Sequence, residues 1–168
     1  KLRGAYNETP ELSDVFLLRT SEAYLNLAEA AACRGDEDVA REALNTLRSK
    51  RIERDYFDES EVNALSGEVL VNYIRDERFR ELCLEGHRWF DLRRYRVAEK
   101  YPQEIMLTHT VIQRDRDSEE ILWKRKFVLP SDDPAWVLPL PREEVDKNTG
   151  MVNNPRNERN YENIDLKK

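Results

Sequence analysis

The chain has few of the residues that mark common kinds of chemistry. There are five glycines in 168 residues, and no two fall in a phosphate-cradling loop. Cysteine occurs twice, at Cys33 and Cys83, with no CxxC spacing and no histidines clustered around either. That argues against a metal site and reads as two small core residues; whether the two approach closely enough for a disulfide stays open. His87 and His109 are the only histidines and have no partner at helical spacing, which leaves no metal motif. A serine nucleophile motif is also absent. Positive charge is not in excess: the net charge is -6 and the pI about 5.2, so no field favours nucleic acid or an acidic membrane surface. No apolar run reaches the length of a membrane helix, and no signal peptide is present. The chain begins at Lys1 rather than Met, which reads as a portion of a longer protein, so missing targeting signals say little about location.

Charge of both signs is plentiful, with charged residues at 37% and hydrophobic residues at 39%. The hydrophobic residues are too periodic for a disordered chain, and the length suits one domain with a real core. Residues 1–15 read as a loop. A helix is predicted from Phe16 to about Arg34, with Leu17, Ser21, Tyr24, Leu25, Ala28, Ala31 and Ala32 on one face. Gly35 stops it. A second helix is predicted from about Asp38 to Arg54, its face Ala40, Ala43, Leu44 and Leu47. The small alanines allow close backbone approach, as in an antiparallel helical hairpin. The run EAYLNLAEAAACRGDEDVAREAL (Glu22–Leu44) resembles one tetratricopeptide unit, which needs neighbours to bury its faces. After a polar loop (Asp55–Leu65), Ser66 is placed to cap a third helix running to Glu85. Gly86 interrupts it, and HRWFDLRRY forms a fourth helix or continues after a kink.

Six of the seven prolines lie between Pro102 and Pro155, which argues against long helices there. Two strands are expected, HTVIQ (His109–Gln113) and ILWKRKFVL (Ile121–Leu129), joined by an exposed turn. The segments beyond read as proline-marked straps. The expected organisation is a single domain, 1–168, with a helical core at 16–98 and a loop and strand region at 99–168. The fold class is mainly α: tetratricopeptide-like hairpins with irregular loops and a short β-hairpin.

The densest chemistry lies in RDERFRELCLEGHRWFDLRRY (Arg75–Tyr95). Its apolar stripe, begun by Leu70 and Ile74, continues through Arg78, Glu81, Leu82 and Glu85, then Arg88, Asp91 and Arg94. Charges on an inner face admit three readings: a catalytic carboxylate pair, a metal cluster or a structural ion-pair network. Glycoside hydrolysis needs one protonated acid. Arginines alternating with Glu81, Glu85 and Asp91 lower carboxylate pKa values and make poor general acids. Charge therefore favours the ion-pair network of Arg78, Glu81, Glu85, Arg88, Asp91 and Arg94, with no catalytic residue and no cofactor. Among the aromatics, Trp89 reads as core. Trp123 and Trp136 either line a ligand surface, stacking on a sugar face, or are buried.

Taken together, four blocks resemble the C-terminal part of the SusD/RagB family. The first is Arg19–Arg51, where Arg19, Glu22, Tyr24, Leu25, Ala28, Glu29, Ala30, Leu44, Asn45 and Arg48 fill the family's hairpin pattern. The second is the charged stretch, with Glu77, Arg78, Glu81, Leu82, Glu85, Gly86, Arg88, Asp91, Leu92 and Arg94. The third is VLPLPREEV (Val137–Val145), similar to a strand-like L-P-I-P segment. The fourth is NNPRN (Asn153–Asn157), near a terminal Q-N-P-G-Y motif; Asn153 replaces its Gln and Arg156 its Gly. The resemblance implies a non-catalytic, nutrient-binding outer-membrane lipoprotein of Bacteroidetes. It implies a lipid anchor on the cell surface, carried outside this chain. It implies capture of an oligosaccharide, or in some relatives a peptide, and delivery to a TonB-dependent, SusC-like outer-membrane transporter. The hairpins then serve as scaffold and partner surface. A tetratricopeptide-type protein–protein adaptor is the alternative.

Overall fold

In the computed structural model, residues 18–158 and 160–165 are described. The loop expected at 1–15 and the first-helix positions Phe16 and Leu17 lie outside them. The described chain forms two compact units. One holds the residues up to Asp91 together with Glu99–Tyr101; the other holds Leu92–Ala98 and the residues from Pro102 on. The architecture is mainly helical with one small antiparallel sheet.

The first unit is built on the helical hairpin. Helix α1 (Thr20–Arg34) ends where Gly35 takes a left-handed conformation, φ 93°. The Gly35 and Asp36 amides then donate to the Ala32 and Ala31 carbonyls, closing the helix and turning the chain. Helix α2 (Glu37–Arg48) follows at once. Ala28, Ala31, Ala32, Ala40 and Ala43 are buried with Leu25, Leu44 and Leu47, so α1 and α2 pack with small side chains between them. α2 stops six residues short of the predicted Arg54. Its apolar stripe ends at Leu47, and the next positions on that face, Lys50 and Arg51, are charged. Beyond it, the expected polar loop contains a single turn of helix, α3 (Ser60–Asn63), which inserts the fully buried Val62.

Helix α4 (Gly67–Glu81) brings Leu70, Val71 and Ile74 into the same core. Ser66 occupies its N-cap position, yet its side chain makes no capping bond. Glu37 of α2 does that work, accepting from the Gly67 amide at 2.6 Å. α4 ends at Glu81 rather than Glu85, and the turn that follows contains two left-handed residues, Leu84 (φ 64°) and Gly86 (φ 83°). That turn holds Cys83 exposed, not in the core, whereas half-buried Cys33 packs on it; neither forms a disulfide.

Helix α5 (Arg88–Arg96) contributes to both units. In the second unit, β1 (Leu107–Arg114) and β2 (Ile121–Leu129) pair antiparallel with Val111 opposite Arg125. A third strand, β3 (Tyr161–Ile164), adds to β2 with Asn163 opposite Arg125. The sequence shows a strap there; its four residues are too short for alternation to register, and pairing with β2 supplies what local pattern lacks. A 3-10 turn (Pro134–Trp136) is capped by Asp133, which accepts from the Ala135 amide at 2.7 Å. The strand-like segment expected at Val137–Val145 is instead irregular up to Pro141 and then helical, α6 (Arg142–Lys147).

Candidate functional site

The charged stretch of α4 and α5 does not form one alternating chain of ion pairs. Its residues divide among separate partners, several of them on α1 or just before it. Arg78, deep in α4, donates from Nε to both Asp91 carboxylate oxygens at 2.9 Å. Its other nitrogens reach Asn26 at 2.9 Å and Glu22 at 3.3 Å on α1. Arg78 and Asp91 are both buried, at 5% and 4% exposure. One turn earlier, buried Arg75 donates to Glu29 of α1 at 2.9 Å and to the Tyr101 carbonyl at 2.8 Å.

Glu81 and Glu85 answer to Arg19, just before α1. Arg19 grips Glu85 with two hydrogen bonds of 2.8 Å and also donates to the Glu81 carboxylate and carbonyl. Arg51 joins from beyond α2, donating to Glu81 at 2.8–3.0 Å. The Ser21 hydroxyl accepts from both arginines. Burial alone would raise the Glu81 pKa; hydrogen bonds from Arg51, Arg19 and Ser21 outweigh it and hold the carboxyl at about 2. A group held there is ionised at neutral pH and has no proton to give a leaving group.

The two remaining arginines of the motif lie against rings. The Arg88 guanidinium is 4.2 Å from the centroid of Phe79. Arg94 lies 4.4 Å from the Tyr95 ring and donates to its hydroxyl at 3.3 Å. Sequence reasoning missed Asn26 and Arg51 as partners. Asn26 lies one turn on from Glu22, on the same strip of α1, which was the available signal. Arg51 falls inside the helix expected to Arg54, but α2 ends at Arg48, so helical spacing does not place it on Glu81. His87 approaches Glu22 at 3.7 Å. Among the described residues no cluster of His, Cys, Asp and Glu could hold a metal ion.

The helical unit also carries an open groove of about 610 Å³ along α2 and α3, lined by polar side chains such as Asp38, Arg41, Asn45 and Lys50. No aromatic ring lines it, so it lacks the flat apolar surface a sugar face stacks on.

The two tryptophans proposed from sequence have different fates. Trp136 is fully buried, its indole donating to the Pro130 carbonyl at 2.7 Å, with Arg96 5.4 Å from its ring. It offers no face to a ligand, because the capped 3-10 turn drives it into the interior of the second unit. Trp123, on β2, is half-buried. The Arg125 guanidinium lies 4.4 Å from its ring and 4.3 Å from that of Tyr161 on β3. The sheet thus builds an aromatic and cationic face from residues two apart on β2 and a neighbour on β3. Tyr161 was missed because its strand was read as a strap.

No curated protein and no solved structure matches the chain. A family model does: that of the SusD family matches residues 4–157.

Proposed function

The chain belongs to the SusD family, and on that premise we propose that it serves in capturing an oligosaccharide at the cell surface and passing it intact to a TonB-dependent, SusC-like outer-membrane transporter. SusD-family proteins are nutrient-binding proteins linked to glycan uptake and are generally non-catalytic. The match over residues 4–157 is the observation that carries the reading. The geometry supports it. The acids that resemble a hydrolytic pair are held by arginines from two other segments, and Glu81 is kept ionised. Their role in this reading is to hold α1, α4 and the start of α5 in one register, with Arg88 adding a contact to the Phe79 ring of α4.

Trp123 is the side chain we assign to a sugar face, since it is half-exposed on a sheet beside a second aromatic. The helical hairpin is assigned to the transporter. The protein is placed at the outer membrane by a lipid anchor; no helix among the described residues is long and apolar enough to cross a membrane. Co-purification tests the delivery role. The full-length protein, isolated from its native membrane, is expected to bring down a barrel transporter. Recovery of the protein with no such partner in any preparation contradicts it. A tetratricopeptide-type adaptor is the second reading, favoured by the α1–α2 hairpin; it predicts a bound peptide and no affinity for glycans.

A further inference from the structure

Arg125 and Arg96 each lie against an aromatic ring with a buried Nε that has no hydrogen-bond partner, but Arg96 also donates to the Ser131 carbonyl at 2.8 Å. Arg19, Arg75 and Arg78 each give donors to carboxylates at 2.5–3.3 Å. Arg125 lies between the Trp123 and Tyr161 rings, and its Nε is shut off from solvent with no hydrogen-bond partner. Ring faces attract a cation but accept none of its hydrogen bonds in the plane of the guanidinium. The residues standing opposite it on the flanking strands are Val111 and Asn163, neither of them acidic. Its sequence neighbours on β2 are Lys124 and Lys126. Lys126 is paired to Glu162 at 3.6 Å. A chain of net charge -6 thus places three consecutive basic residues, Lys124, Arg125 and Lys126, in its middle strand.

The face is also open. Tyr161 is 47% exposed, and Asn163, His109 and Gln113 on the flanking strands are exposed. A planar guanidinium held by stacking presents its donors in a fixed fork, which matches a carboxylate with two parallel hydrogen bonds. The flanking rings offer the flat apolar surface that the C–H face of a pyranose covers. We propose that Trp123, Arg125 and Tyr161 form a subsite for an acidic sugar, with a uronate carboxylate on Arg125 and the sugar ring against the aromatic pair. This inference rests on the glycan-binding reading and names the class of glycan.

The test is a titration of the full-length protein with an array of oligogalacturonates and oligoglucuronates, each beside its methyl ester, and with neutral gluco-oligosaccharides. A uronide is expected to bind at least about tenfold more tightly than its own methyl ester, with affinity falling as salt rises. Arg125→Gln is expected to erase the preference for the free acid. Arg125→Lys, which keeps the charge but loses the fork, is expected to retain part of it. Circular dichroism of each variant confirms that the sheet is intact. If neutral glycans bind and no free acid is preferred over its ester, the acidic-sugar subsite is wrong and the glycan reading stands. If Arg125→Gln binds uronides like the natural protein, the subsite is again wrong. If no saccharide on the array binds, the glycan reading itself fails and this inference with it.

Discussion

At the scale of single residues, the helical unit ranks its ion pairs by burial. Arg78 and Asp91 are both nearly inaccessible, so losing one charge strands the other away from water. Arg78→Met is expected to destabilise the fold by about 3–5 kcal/mol. Arg80→Ala removes a pair to Glu77 whose arginine is 56% exposed, and is expected to change stability by no more than about 0.5 kcal/mol. Urea unfolding of the two variants measures the contrast. Glu81 adds a pH dependence. Its carboxyl falls from an ordinary value of 4.5 to about 2 in the folded chain. The proton therefore prefers the unfolded state, and the stabilisation is complete above about pH 4.5 and is lost as pH falls toward 2. Glu81→Gln is expected to flatten the acid limb of stability across that window while lowering the plateau at neutral pH. An unchanged acid limb would show that Arg19 and Arg51 do not hold the charge. The motif spacing made the charged residues visible in the sequence, and the alternation of sign ruled against an acid catalyst. It did not reveal that Arg19 and residues of α1 supply several of the partners, because pairing across 46 to 66 positions leaves no local period.

At the scale of elements, the contrast lies at the start of α4. Ser66 occupies the cap position and has the favoured residue type, but Glu37 from α2 accepts the Gly67 amide and also holds Arg41, which donates to the Leu65 carbonyl. A tertiary contact has displaced a local one. Ser66→Ala is expected to have almost no effect, and Glu37→Ala to cost about 1–2 kcal/mol, as for loss of a cap. Thermal unfolding of the pair distinguishes them; a larger loss from Ser66→Ala would contradict the assignment. The same logic explains which elements could be read in advance. The α1–α2 hairpin and the β1–β2 pair follow from periodicity and glycine placement. The single turn α3 and the short strand β3 are too brief to have a period, and each exists because Val62 finds a core or β2 offers an open edge.

At the scale of the whole molecule, Glu81, Glu85 and Asp91 of the charged stretch are each held by an arginine, while Arg125 on the sheet lies between two aromatic rings. In the proposed reading this arrangement serves to hold a sugar, with the acids of the charged stretch kept in ion pairs. The fold class and family were legible because the motifs span most of the chain. The proposed ligand face was half-legible: Trp123 stood out as a large ring on an expected strand, but Trp136 looked the same in sequence and is buried. Burial is a property of packing that a lone residue type does not carry. The central claim, that this protein binds a glycan without breaking it, meets its most direct test in calorimetric titration of the full-length protein with oligogalacturonates, oligoglucuronates and neutral gluco-oligosaccharides, followed by analysis of the ligand recovered. Saturable binding with the oligosaccharide recovered at its original length is the predicted result. Shortened products that disappear on Glu85→Gln would contradict it.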